Sequence, residues 1–380
     1  MTILRLICLV FVTCIGLAGP SYAAPIQVTD ALGRQVTLPG PAQHIVLAQA
    51  RHFPVIALLH PDPASILAGW SDEFKTSFQN EYRSYLEHYP RLADVPVVGR
   101  HRPDSFSVET VLALRPDLVV LTLSFTGLKA GQSPDDSPLI QRFEAAGVPV
   151  IVIDFFLEPM LNTVPSLEAL GAALGRTDQT RDFIDFYSSH VQRVKNGLAG
   201  LADDDRPPVF IHAHAGSTDC CNSPGTGTFN DMVVYAGGHN IAGDVLKTPT
   251  GRLNFEYINA RNPVVYVATG TGSGKRANNG LHIGEGATVE DARASLARII
   301  HDNKLDSLAA VRSGNSHGIW HAFNDSPLHV VFIEALAHWI HPDRFPDVSP
   351  TETLNTISRE FLPVPMQGTY LVDLRPSDSP

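Results

Sequence analysis

From Pro25 onward, short apolar runs rich in Val and Ile alternate with Gly, Pro or Ser breaks and with stretches of helical period. A wholly apolar run of four to six residues suits a strand buried on both faces, and a helical segment between two such runs makes a βα unit with parallel strands. In the first half this pattern predicts strands at 44–47, 65–68, 95–98, 118–123 and 150–154, and helices at 108–114 and 139–146, the latter stopped by Gly147. In the second half it predicts strands at 209–212, 264–268 and 311–319, with helices at 227–235, 256–260, 289–299 and 327–340.

The segment between the halves is different. Residues 177–201 carry no strong turn signal before Gly197, and Phe183, Phe186, Tyr187, His190, Val191 and Val194 fall at helical spacing. One helix of about 20 residues is some 30 Å long, and it would hold two α/β lobes apart with a cleft between them. The expected organisation is therefore a leader at 1–23, an N-terminal lobe at 24–176, a bridging helix at 177–201 and a C-terminal lobe at 202–380, each lobe Rossmann-like around a mainly parallel sheet. A weak repeat supports two lobes. Ser107 to Asp117 and Asn254 to Pro263 each form a short helix with a Glu in the first turn, Glu109 and Glu256, closed by a Pro just before a buried strand.

Length and charge narrow the classes. A chain of 380 residues has room for two cores. With 39 acidic against 28 basic side chains and a net charge of −11, and without a dense Lys/Arg run, it does not read as a nucleic-acid binder. Residues 6–19 form an apolar run after Arg5, and Ser21-Tyr22-Ala23 puts small residues at the −3 and −1 positions of a signal-peptidase site. Cleavage there would leave a net charge of −12 and two cysteines, Cys220 and Cys221, as a vicinal disulfide or two thiols.

In open α/β sheets ligands sit outside the carboxyl ends of the strands. Those ends offer Arg51, His52, Trp70 and Arg100 in the first half, and His212, His214, Lys275, Arg276, Trp320 and His321 in the second. Cations mixed with aromatic rings suit a bulky anionic ligand. The loop 270–276 is Gly-rich but lacks the first Gly and the final Ser or Thr of a phosphate loop. Strand alternation would point His212 and His214 to one face, leaving open a ligand-facing pair, a zinc site or plain structural histidines. Gly314-Asn315-Ser316-His317-Gly318 has the letters of a nucleophile elbow but falls in an expected turn.

The stretch Val28 to Pro39 with His44-Ile45-Val46, and the E-x-x-x-x-L-x-P-D-L-V-V core from Glu109, resemble the periplasmic binding proteins of ABC importers for iron complexes and cobalamin. Cys220 to Ile241, Trp320 to Phe345 and the ending Phe361-Leu362-Pro363-Val364 with Gly368-Thr369-Tyr370 are similar to a ferric-siderophore branch. The resemblance implies two lobes bridged by one long helix, and two carboxylates, matched by Glu109 and Glu256, that dock on arginines of a permease dimer with its ATPase. It implies a monomeric, non-enzymatic carrier without a cofactor, whose ligand is an iron chelate such as a ferric siderophore. The alternatives are haem or cobalamin, with a histidine as axial ligand, and from another class a secreted zinc-dependent hydrolase using His212 and His214. Segments 71–92 and 270–287 are longer than a minimal cobalamin binder needs and form an expected ligand rim.

Overall fold

The computed structural model describes residues 24–374 except 101, 130–131, 219 and 273–278. The leader at 1–23 and the two cations Lys275 and Arg276 thus lie outside the described residues. Among the described residues no helix is long and apolar enough to cross a membrane.

The first sheet contains β1 (Ile45–Leu47), β2 (Leu67–Ser71), β3 (Val97–Gly99), β4 (Leu118–Thr122) and β5 (Val150–Ile153). Its order is β3-β2-β1-β4-β5, all parallel. The second holds β6 (Pro208–His212), β7 (His239–Asn240), β8 (Val265–Gly270), β9 (Ser316–Trp320) and β10 (Leu371–Leu374). Its order is β7-β6-β8-β9-β10, parallel except for β10, which runs against β9. Both are doubly wound sheets, and the strand order reverses between β1 and β4 in one and between β6 and β8 in the other. Those reversals leave a crevice at the carboxyl edge of each sheet.

The helices that matter below are α1 (Gln79–His88), α2 (Val108–Ala113), α3 (Thr177–Gly197), α4 (Thr228–Tyr235), α5 (Phe255–Arg261), α6 (His329–Ile340) and α7 (Pro350–Glu360). The bridging helix α3 stops four residues before the expected end and buries Thr180, Phe183, Tyr187, Val191 and Val194, one stripe at spacings of three and four. Tyr187 also donates to or accepts from His329 on α6 at 2.7 Å, so the bridge is pinned to the second lobe by a polar contact as well as by packing.

One predicted strand is wrong in part. Over 311–319, Ala309–Arg312 is a helical turn, and Gly314 at φ +74° reverses the chain before β9 starts at Ser316. The apolar letters Ala309, Ala310 and Val311 belong to that helical turn, and only the part from Ser316 pairs with β8 and β10.

Candidate ligand-binding site

At the reversal of the first sheet, the Thr122 hydroxyl donates to Gln49 Oε1 and shares a 3.1 Å contact with the Ser124 hydroxyl. At the reversal of the second, the Thr269 hydroxyl accepts from the His214 backbone N–H at 3.0 Å and meets His321 Nδ1 at 2.7 Å. His214 and His321 stack with ring centroids 3.6 Å apart, and Phe229 meets His321 edge-on. Both imidazoles are half-buried at the carboxyl edges of β6 and β9. Sequence reasoning named both histidines, but Thr269, Gln49 and Thr122 were missed, because a hydroxyl or amide in an apolar run carries no signal until the strand order shows where the sheet reverses.

The two histidines of β6 part company. His212 is the last residue of the strand and is fully buried against Phe210 and Tyr266, with Nδ1 3.0 Å from the Tyr266 hydroxyl. Burial pushes its pKa down to about 4, so the ring is neutral. His214 lies beyond the strand at φ +51°, where alternation no longer applies, and faces His321 instead. The expectation of one shared face fails, and with it the paired-histidine zinc site.

Other expected ligand residues have structural duties. Trp70 is fully buried among Phe53, Phe74 and Tyr82 in the first lobe. His52 is buried against Phe155, with Nδ1 3.3 Å from the Gln49 carbonyl, and burial lowers its pKa. Arg51 spans the lobes: its guanidinium donates to Glu73 of the first lobe and to Asp325 of the second, each at 2.8 Å. Burial works to lower its pKa, but the two carboxylates outweigh it and raise the value. A cation so neutralised is a clamp between lobes and not a free anion receptor. Arg100 is exposed at the end of β3, the outermost strand of its sheet, away from the reversal. Trp320 is buried where the lobes meet, edge-on to Phe323 and Tyr370.

The segment after β2 and the segment after β8 do meet. Asn80 donates to the Glu285 carbonyl at 3.0 Å and Ser84 to its carboxylate at 2.9 Å. A cavity of about 40 Å³ lies there, lined by Glu81, Tyr85, Glu285, Trp320 and Tyr370 among others. A third contact joins the Thr228 N–H at the start of α4 to the Phe156 carbonyl at 2.9 Å. Gly227 before it sits at φ +65°, where a Cβ would strike the Leu157 carbonyl oxygen.

Glu109 and Glu256 occupy equivalent places. Each is exposed in the first turn of a short helix, α2 or α5, capped by Ser107 or Asn254 through the N–H three residues on. α2 leads into β4 and α5 into β8, each a strand beside the reversal of its own sheet. Glu109 is paired with Arg142 at 2.6 Å, both largely exposed.

A protein-family model described as periplasmic binding protein matches residues 56–315. The chain belongs to the periplasmic binding proteins. Among solved structures, a TroA-like periplasmic binding protein FepB from Veillonella parvula is 25% identical, with TM-score 0.83 over 92% of this chain and 100% of that one. A periplasmic heme binding protein from Pseudomonas aeruginosa is 20% identical with TM-score 0.52, over 87% of this chain and 98% of that one. The molybdate-binding MolA of Haemophilus influenzae is 18% identical with TM-score 0.62, over 88% and 97%. The search of curated proteins found no match. The family consists of solute-binding proteins of ABC transporters, non-enzymatic and periplasmic, and the two-lobed α/β fold is theirs.

Proposed function

We propose that the chain captures an iron chelate, foremost a ferric siderophore, in the periplasm and hands it to an inner-membrane ABC importer. The observation that carries this is the His214–His321 stack at the sheet reversal, in a chain similar over 92% of its length to a structure titled FepB. Imidazole nitrogens and the Ser124 and Thr122 hydroxyls supply donors and acceptors for the oxygen-rich rim of a chelate, and the aromatic faces pack on its apolar parts. Lys275 and Arg276 remain the cations for an anionic chelate; Arg51 is committed to Glu73 and Asp325, and Arg100 lies away from the reversal. The carrier acts as a monomer, reaches the periplasm by a cleaved signal peptide at 1–23, and docks through Glu109 and Glu256 on a permease dimer bearing its ATPase.

A second reading is haem, favoured by the same two imidazoles, either of which has the chemistry of an axial ligand. One titration separates the readings. Trp320 sits where the lobes meet, so its fluorescence reports closure. Ferric hydroxamate, catecholate and citrate complexes, haem and cobalamin are added in turn to the purified protein. Saturable quenching by a ferric chelate is the expected result. A Soret shift with haem that is lost in His214→Ala or His321→Ala moves the assignment to haem, and silence with every probe overturns iron-chelate capture.

A further inference from the structure

His212, at the end of β6 two residues before His214, belongs to a second cluster that chelate capture does not use. Cys220 and Cys221 are joined as a vicinal disulfide, Cys221 buried and Cys220 half-buried. An imidazole nitrogen of His212 and the two sulfurs all lie within 4.8 Å of one another. His212 is fully buried; its Nδ1 contacts the Tyr266 hydroxyl at 3.0 Å, and its Nε2 has no hydrogen-bond partner. The cluster is braced from outside: Arg252 donates through Nε to the Cys220 carbonyl at 3.0 Å, and the Leu253 N–H donates to the Cys221 carbonyl at 2.9 Å.

We propose that His212, Cys220 and Cys221 form a site for a soft, thiophilic metal ion of the Cu(I) type, open when the vicinal disulfide is reduced and closed when it is oxidised. Three features of a metal site are already in place. The imidazole is oriented by a partner on its other nitrogen, as metal-bound histidines generally are. The donor set of two thiolates and one neutral imidazole is soft and suits Cu(I) over hard oxygen-seeking ions. The two sulfurs and an imidazole nitrogen already lie within 4.8 Å of one another. Three donors around a metal with bonds of about 2.0–2.3 Å lie roughly 3.8 Å apart, within the observed spread. In the oxidised form the sulfurs spend their bonding electrons on each other, and the imidazole alone holds no ion.

The switch needs an external dithiol as reductant. One of its thiolates attacks a sulfur of the pair, the S–S bond breaks and a mixed disulfide forms; its second thiolate then frees that cysteine and the reductant leaves as its own disulfide. Two electrons and two protons end on Cys220 and Cys221. Metal binding then releases the thiol protons to solvent and leaves copper as Cu(I).

The mature chain from residue 24, whose cysteines are Cys220 and Cys221, is reduced with a dithiol, freed of it under anaerobic conditions, and titrated with Cu(I) against a chromophoric Cu(I) chelator. One equivalent should transfer to the reduced protein, with the two thiols lost to a thiol reagent, and none to the oxidised protein. X-ray absorption of the wild-type complex should show two sulfur scatterers and one imidazole nitrogen, which reads the His212 role without a variant. Cys220→Ser with Cys221→Ser should abolish transfer, and His212→Asn should weaken it by about 10- to 100-fold. Equal transfer to the oxidised protein or to the double serine variant overturns the site, as does an absorption spectrum without the nitrogen. The iron-chelate titration is independent of this result, since it is run on the oxidised protein.

Discussion

Glu81 shows how one residue couples the lobes to pH. It stands on α1 of the first lobe and is buried, and Glu285, Tyr85 and Tyr370 share its cavity. Burial, then the charge of Glu285, raises its pKa to about 7 from 4.5. The folded state thus prefers the protonated acid. The stability this contributes is complete below pH 4.5 and is lost as pH rises through about 7, at most about 3 kcal/mol. Thermal melts from pH 5 to pH 8 should show wild-type Tm falling more steeply than that of Glu81→Gln, whose amide is neutral throughout. Parallel slopes in the two proteins would refute the assignment. The same scale explains the fate of the β6 histidines. Both were legible as chemistry-bearing residues, but their separation rests on the positive φ of His214, a backbone choice made by the turn that follows the strand.

Among elements, the bridging helix was the most legible, because an amphipathic stripe over some twenty residues has few alternative explanations. Its anchoring was not. Glu334 on α6 is wholly buried and accepts hydrogen bonds from His190 and Arg193 of α3 and from Thr353 of α7. Burial works to raise its pKa, but the bonds from His190 and Thr353 and the nearby charge of Arg193 outweigh it and hold the value below the usual range. Glu334→Ala leaves those donors without an acceptor and should destabilise the protein by about 3 kcal/mol in urea unfolding; a loss under about 1 kcal/mol would show that the network relaxes onto solvent. The strand misread at 311–319 belongs to this scale too. Apolar letters alone do not distinguish one helical turn from a strand, and Gly314 marked the boundary.

For the whole molecule, the paired placement of Glu109 and Glu256 on the two lobes bears on docking. A desolvated ion pair at an interface is worth about 1.5 kcal/mol or more, so Glu109→Ala with Glu256→Ala should weaken docking to the importer by roughly 100-fold. Uptake should collapse while chelate affinity in solution stays the same. A fall in chelate affinity would place these residues in the binding cleft and refute the docking role.

The order of strands and helices, the two-lobed plan and the family were written in the sequence, since burial pattern, Pro and Gly punctuation and short motifs are local properties. Which polar residues are already committed to partners within the protein was decided only by the tertiary structure. Arg51 read as a receptor cation until Glu73 and Asp325, 22 and 274 residues away, were brought to it. Trp70 read as a stacking surface until Phe53 and Phe74 closed around it. A side chain's charge and shape are set by its own chemistry, but whether they are available to a ligand depends on what long-range packing places against them.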